Sequence, residues 1–419
     1  MNAFLRLSAF SLLLNSVALH AGDWPQWRGA ARDGIAAPDE APLKALAAEP
    51  KAIWRLPIGG GFSAPIVAKG LVLFMDEDGT NEVAHALDEK TGKEKWRTIV
   101  SAKFADEWGA GTRATPFADD GRVYVQSCDG EFQCLGLKDG KPLWRVNFEK
   151  DFGVKFVGSK AAEGTASRRG NNGSGLVDGA DVIVPVGAVN GGTMVCFDKL
   201  TGKMKWKAGE DEAAYSSLQV ADLAGVRQVV MFTSDALIGV QRTDGKMLWR
   251  FPLKTNAKRH ASTPVIHGDH IEVNSHTFGA ISIKVSREDG EVKAAKEWLN
   301  PQLKINLATP VLVGDHYYSH GPDKDFVCFD AATGKIAWQQ KGFGKEYSST
   351  LAVGGNLLVL ADDGQLTLVK ADAGSYQELG RVQVSGRTWS FPAYANGRLL
   401  VRDGKELISY VVGEVSKIN

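Results

Sequence analysis

Eight residues far apart in the chain carry side chains suited to gripping a ligand: Arg113, Asn171, Asn172, Tyr215, His260, Asn306, Tyr347 and Trp389. A guanidinium, carboxamides, an imidazole and aromatic rings supply hydrogen bonds, one fixed charge and flat apolar faces, the mixture found in binding pockets. None is a carboxylate placed as a general base, so their chemistry is recognition. They share a position: each stands just before a short marker that recurs along the chain. A fold that arranges those markers in a ring brings these side chains to one mouth of a central channel.

Other chemistries fare less well. The stretch Asp76-Glu77-Asp78-Gly79-Thr80-Asn81-Glu82 is dense in oxygen ligands, yet it sits on a hairpin and lacks the spacing of a closed Ca²⁺ loop, which favours a solvated turn. Asp88, Asp198 and Asp330 recur with the repeat and read as turn-stabilising side chains. His260, His267, His270 and His276 fall on alternate strand faces and loops, so exposed imidazoles are expected and no metal site. Cys134, Cys196 and Cys328 occupy equivalent places in different repeats, too far apart for the ~4.4–6.8 Å between Cα atoms of a disulfide. Buried thiols are expected. Arg168-Arg169-Gly170-Asn171-Asn172-Gly173 lies in a long insertion that reads as a loop over the mouth or a flap.

The elements that position these residues come from repetition. A small residue, then a small residue or Ser/Thr, then Pro or Leu, opens a strand at Ser63-Ala64-Pro65, Ala114-Thr115-Pro116, Ser174-Gly175-Leu176, Ser216-Ser217-Leu218, Ser262-Thr263-Pro264, Ala308-Thr309-Pro310, Ser349-Thr350-Leu351 and, with Phe in the middle, Ser390-Phe391-Pro392. Eight modules of roughly 40 to 60 residues, each with period-2 alternation and Gly turns, predict an all-β, eight-bladed propeller of four-stranded antiparallel blades. Five modules end with a Gly followed four residues later by Trp: Trp96, Trp144, Trp206, Trp249 and Trp338. Each indole is expected at the seam with the next blade. The fifth module stretches this interval, Gly290 to Trp298, and the seventh offers Tyr376 and Leu379 instead.

The eighth module has only three strands, whereas Ala52-Ile53-Trp54-Arg55-Leu56 precedes the first marker and carries an unpartnered Trp54. An N-terminal strand completing the last blade removes two exposed edges. The expected organisation is a signal peptide over 1–21, an extended segment over 22–50 and the propeller over 51–419. Residues 1–21 carry Arg6, an apolar run and small residues before Ala18 or Ala21, either of which could be the cleavage point. Periplasmic or secreted localisation follows, with no Cys there for lipidation and no later segment with the ~18–20 apolar residues of a transmembrane helix. Forty-nine basic residues balance forty-nine acidic ones, which gives no footing for nucleic acid. A monomer is expected.

The repeat ending Ala86-Leu87-Asp88-Glu89-Lys90-Thr91-Gly92-Lys93-Glu94-Lys95-Trp96 resembles the tryptophan-docking motif A-x-D-x-x-T-G-x-x-x-W of pyrroloquinoline-quinone (PQQ)-like propellers. Residues 196–206 and 328–338 repeat it with Cys for the Ala. The opening Asp23-Trp24-Pro25-Gln26-Trp27-Arg28-Gly29 and Gly225-Val226-Arg227-Gln228-Val229-Val230 are similar to exported PQQ-like repeat proteins named for their likeness to the assembly factor BamB. The resemblance implies one of two roles: a protein-binding scaffold, or a dehydrogenase of alcohols or sugars using PQQ and Ca²⁺. This chain has no vicinal Cys pair and lacks long covering insertions. The reading is therefore an exported, non-catalytic scaffold that binds a protein partner or extracellular ligand, with no cofactor expected; PQQ with calcium belongs to the dehydrogenase alternative, and a lectin-like carbohydrate binder is a third possibility.

Overall fold

The computed structural model describes residues 22–106, 108–154, 170–255 and 258–415. Among the described residues the strands form eight four-stranded antiparallel sheets and one two-stranded hairpin. In chain order of their innermost strands these are blade 1 (66–102), blade 2 (117–147), blade 3 (176–208), blade 4 (219–252), blade 5 (265–300), blade 6 (311–341), blade 7 (348–383) and blade 8 (393–415). Blade 8 takes its fourth strand from the other end of the chain, Leu43–Pro57. The fold is an eight-bladed β-propeller.

The seams explain the repeat ending residue by residue. Asp88 Oδ1 accepts hydrogen bonds from the backbone N–H and hydroxyl of Thr91, and Asp198 with Thr201 and Asp330 with Thr333 repeat the turn. The Gly that follows has positive φ and also faces the neighbouring blade's indole. A Cβ on Gly140 would sit 2.5 Å from Trp96, and one on Gly202 would sit 2.7 Å from Trp144. Four of these indole N–H groups donate to a carbonyl of the next blade: Trp54 to Glu89, Trp96 to Leu137, Trp144 to Lys199 and Trp338 to Asp372. The small residue that opens the motif lies across the ladder from its own Trp, as in Ala86 opposite Trp96 and Cys196 opposite Trp206.

Trp298, at the stretched interval, keeps this pattern, docking on Gly334 and donating to the Ala331 carbonyl. Two seams depart from it. Trp206 docks on Gly245, but its Nε1 has no hydrogen-bond partner among the described residues. Trp249 instead donates to the side chain of Gln228 in its own blade. Blade 5 has long outer strands, Gly279–Glu288 and Glu291–Asn300, and no atom lies within 4 Å of a Cβ on its turn glycine, Gly290. The turn that would receive Trp249 projects beyond the seam.

The closing strand starts at Leu43, so the boundary expected at residue 50/51 falls inside it. Its pairing with Glu406–Val415 shifts register between Leu43 and Leu46, between Leu46 and Lys51, and between Ala52 and Trp54. Those bulges break the period-2 pattern by which sequence reading finds strand starts.

The segment before it, residues 22–42, belongs to no blade and touches all eight. Trp24 exchanges backbone hydrogen bonds with Val67 of blade 1, and the Pro25 carbonyl accepts from Ala118 of blade 2. Arg32 reaches the carbonyls of Ser174 and Gly175 at blade 3 and of Leu218 at blade 4. The Trp27 indole donates to Thr263 Oγ1 at blade 5, and Arg28 donates to the Thr309 and Pro310 carbonyls at blade 6. Gly34 and Ala36 pair with Ala352 of blade 7, while the Glu40 carboxylate accepts the Asn396 and Gly397 N–H groups of blade 8. The segment is a plug, and it closes one end of the channel.

Candidate functional site

Above the plug the channel widens into a cavity of about 260 Å³. Its lining includes Arg113, Asn172, Tyr215, Asn306, Tyr347 and Trp389, contributed by the connections that lead into six different innermost strands. Small residues, Thr115, Ser174, Ser217 and Ala261, line it too and leave the space open. Trp27 of the plug completes the lining. The result is a cup.

Aromatic rings dominate one wall. Trp389 packs against Trp108 at 5.6 Å and Phe62 at 6.0 Å between ring centroids, and the Arg387 guanidinium lies 5.4 Å over it. Trp108 is carried by the small hairpin Ala105–Asp106 and Gly109–Ala110 that follows blade 1. Arg113 secures this hairpin: it pairs with Asp106 at 2.9 Å, donates to the Gly109 carbonyl and lies 4.4 Å over the Phe62 ring. Its charge is thereby neutralised within the wall. Behind Trp108 and Trp389 a second cavity of about 470 Å³ is lined by Gly60, Gly61, Arg387 and Asp403 and shares Phe62 with the first.

The two remaining candidates lie behind the wall. His260 is fully buried, stacked at 4.0 Å on Phe232, with Nδ1 2.6 Å from the Thr233 carbonyl oxygen. Burial holds its pKa below the usual imidazole range, opposed by that hydrogen bond. Its backbone carbonyl accepts the Tyr215 N–H, so it supports a lining residue without lining the cup. The expectation of an exposed imidazole here is corrected, because Phe232 and Phe278 supply an apolar bed that position in the repeat did not reveal. Asn171 is buried as well, its N–H donating to the Cys128 carbonyl. Arg168 and Arg169 lie outside the described residues.

The acidic stretch 76–82 is only partly a solvated turn. Asp76 is buried, holding His85 Nε2 at 2.9 Å and the Gly59 N–H at 2.8 Å, and Glu82 is buried with one oxygen on the Cys128 N–H. Among the described residues no group of three or more His, Cys, Asp or Glu could hold a metal ion. All four cysteines are free and buried.

Sequence reasoning missed Trp27, Phe62, Trp108, Arg259, Leu307 and Glu346 in the lining. Arg259, Leu307 and Glu346 are immediate chain neighbours of His260, Asn306 and Tyr347, so the neighbourhood was legible and the side-chain direction was not. Trp108 rides an extra hairpin, and Trp27 arrives from a segment with no repeat position.

Buried charge surrounds the floor. Arg28 and Arg32 are almost wholly inaccessible, and burial lowers their pKa to about 10 and about 9, which leaves both protonated at neutral pH. Nearby Glu272 is fully buried with neither carboxyl oxygen hydrogen-bonded among the described residues, and burial pushes it up to about 8.

A family model described as "Outer membrane protein assembly factor BamB" matches residues 39–167, 80–340 and 327–412. An outer membrane protein assembly factor BamB of Moranella endobia (strain PCIT) is 24% identical over 266 residues, which is 62% of this chain and 60% of that relative's length. Among solved structures, BamB from Moraxella catarrhalis is similar over 87% of this chain and 98% of its own, with 14% identity and a TM-score of 0.58. Quinohemoprotein alcohol dehydrogenase ADHIIG from Pseudomonas putida HK5 is similar over 95% of this chain and 81% of its own, also with 14% identity, and a TM-score of 0.62. At that identity the structural likenesses speak for the fold alone.

Proposed function

The chain belongs to the family described as outer membrane protein assembly factor BamB, and from that premise we propose that it is an exported, non-catalytic scaffold whose axial cup receives part of a protein partner. The observation that carries this reading is the cup itself: a preformed, aromatic-walled recess with a closed floor, built from short connections on a rigid ring. Trp389 and Asn306 both line it, and their Nε1 and Oδ1 atoms are buried without a hydrogen-bond partner among the described residues.

The dehydrogenase alternative needs residues for PQQ and its Ca²⁺. The lining offers one uncommitted carboxylate, Glu346, since Asp106 is held by Arg113. A Ca²⁺ ion takes six to eight oxygen ligands, commonly several carboxylates, and this donor set does not fit it. Export rests on residues 1–21, outside the described residues.

The test mixes purified mature protein with PQQ and Ca²⁺ and follows absorbance and dye-linked oxidation of alcohols and sugars, alongside affinity capture from the periplasm with wild type and Trp389→Ala. The expected result is no stoichiometric PQQ binding, no turnover, and a captured protein that the variant loses. Turnover abolished by Trp389→Ala at unchanged melting temperature overturns the scaffold reading in favour of the enzyme.

A further inference from the structure

We propose that the cup is selective for an acidic group, so that the partner segment it receives presents a carboxylate beside an apolar side chain. This rests on the reading of the cup as the binding site. The charges around it do not cancel. Arg113 is matched by Asp106, and Arg28 has Asp33 as a nearby carboxylate. Arg32 has none; its guanidinium meets only carbonyl oxygens and the Gln26 amide oxygen, directly beneath the lining residues Ser174 and Ser217. Glu272, the buried acid nearest in kind, has no hydrogen-bonding support for an ionised form.

In the lining itself Arg259 makes no ion pair among the described residues, and Arg387 at the adjoining cavity makes none either, its guanidinium stacked on Trp389. Against Arg259 stands Glu346 and against Arg387 stands Asp403 of the same cavity, with Glu346 and Arg387 both exposed and well screened by water, so the surplus is Arg32, which acts through the protein interior. The balance is positive, and the aromatic walls keep water from offsetting it. One uncommitted guanidinium in the lining suits a singly charged carboxylate, which it can grip through two N–H groups, while the rings bury an adjoining apolar group.

The test titrates the full mature protein with acetyl-Phe-Glu-Phe-amide and its Gln and Lys counterparts, following tryptophan fluorescence. The Glu peptide is expected to bind about tenfold more tightly than the Gln peptide, in line with a charge-assisted hydrogen bond, and the Lys peptide most weakly. Arg259→Gln should bring the Glu and Gln peptides to equal affinity without shifting the melting temperature, Arg259→Lys should keep part of the preference, and Arg259→Glu should favour the Lys peptide. Equal binding of all three peptides overturns the acid preference and leaves the cup as a binding site. A Lys peptide that binds as well as the Glu peptide, or a preference indifferent to Arg259→Gln, overturns the proposal equally. If none binds, the proposal and the cup reading fall together.

Discussion

The two ends of the axial channel are built from the same eight blades and finished in opposite ways. At the plugged end, the segment's polar groups are spent on the ring: Arg28 and Arg32 donate to carbonyls at the starts of blades 3, 4 and 6, and Glu40 caps two N–H groups of blade 8, with Arg28 Nε and the buried Glu272 carboxyl the unpartnered groups near them. At the open end, a Trp indole, an Asn carbonyl and a guanidinium are left without such partners. A symmetric ring gives no reason for this difference. It comes from one non-repeated segment, and it separates the end that stabilises the ring from the end available for binding.

Breaking the plugged end should have the largest effect. Arg32→Ala leaves three carbonyls without their donor in a buried site, and a loss of about 3 kcal/mol or more is expected, since each buried acceptor left unsatisfied costs about 1–3 kcal/mol. Thermal unfolding would check this; a melting temperature within a degree of wild type would show that the plug is an ornament of the ring and not part of its closure.

A second test bears on the buried acid between the two ends. The folded-state pKa of Glu272 is raised to about 8 from 4.5, so the folded protein holds a proton that the unfolded chain releases. The sign follows: between about pH 4.5 and 8 this group makes stability fall as pH rises, by an amount on the order of a few kcal/mol in all. Glu272→Gln removes the titration. Its melting temperature should exceed that of wild type at pH 8 and match it at pH 4, and equal shifts at both pH values would refute the assignment.

The smallest expected effect on stability is at the open end. Asn306→Ala should change stability by less than about 1 kcal/mol, since its side chain completes no hydrogen bond within the fold, and Trp389→Ala by about 1–2 kcal/mol through its lost ring contacts with Trp108 and Phe62, while partner binding is lost. If either variant destabilises as much as Arg32→Ala does, the contrast between the ends is wrong.

The ring was legible because its signals repeat. The Gly four residues before a Trp recurs five times, with Trp96, Trp144 and Trp206 docking on the next blade's glycine, and the eight strand-opening markers make the count secure. Six of the eight candidate residues line the cup because repeat position specifies where a connection lies. It does not specify which way a side chain turns, so His260 went to Phe232 and Arg259 took the lining. Trp27 and Trp108 were illegible for another reason: each lies on a segment that occurs once, and a single occurrence carries no register.

The strand Leu43–Pro57 pairs with Glu406–Val415, so a strand synthesised early meets one synthesised late. Until that late strand is made, the closing blade has no edge to receive the early one, and the segment that contacts every blade has no complete ring to occupy. Native contacts of such long sequence separation form late and slowly. The nascent chain therefore has no finished disc to fold into while it is being made, which is the condition a polypeptide must keep if it is to be threaded across a membrane before it acquires its shape.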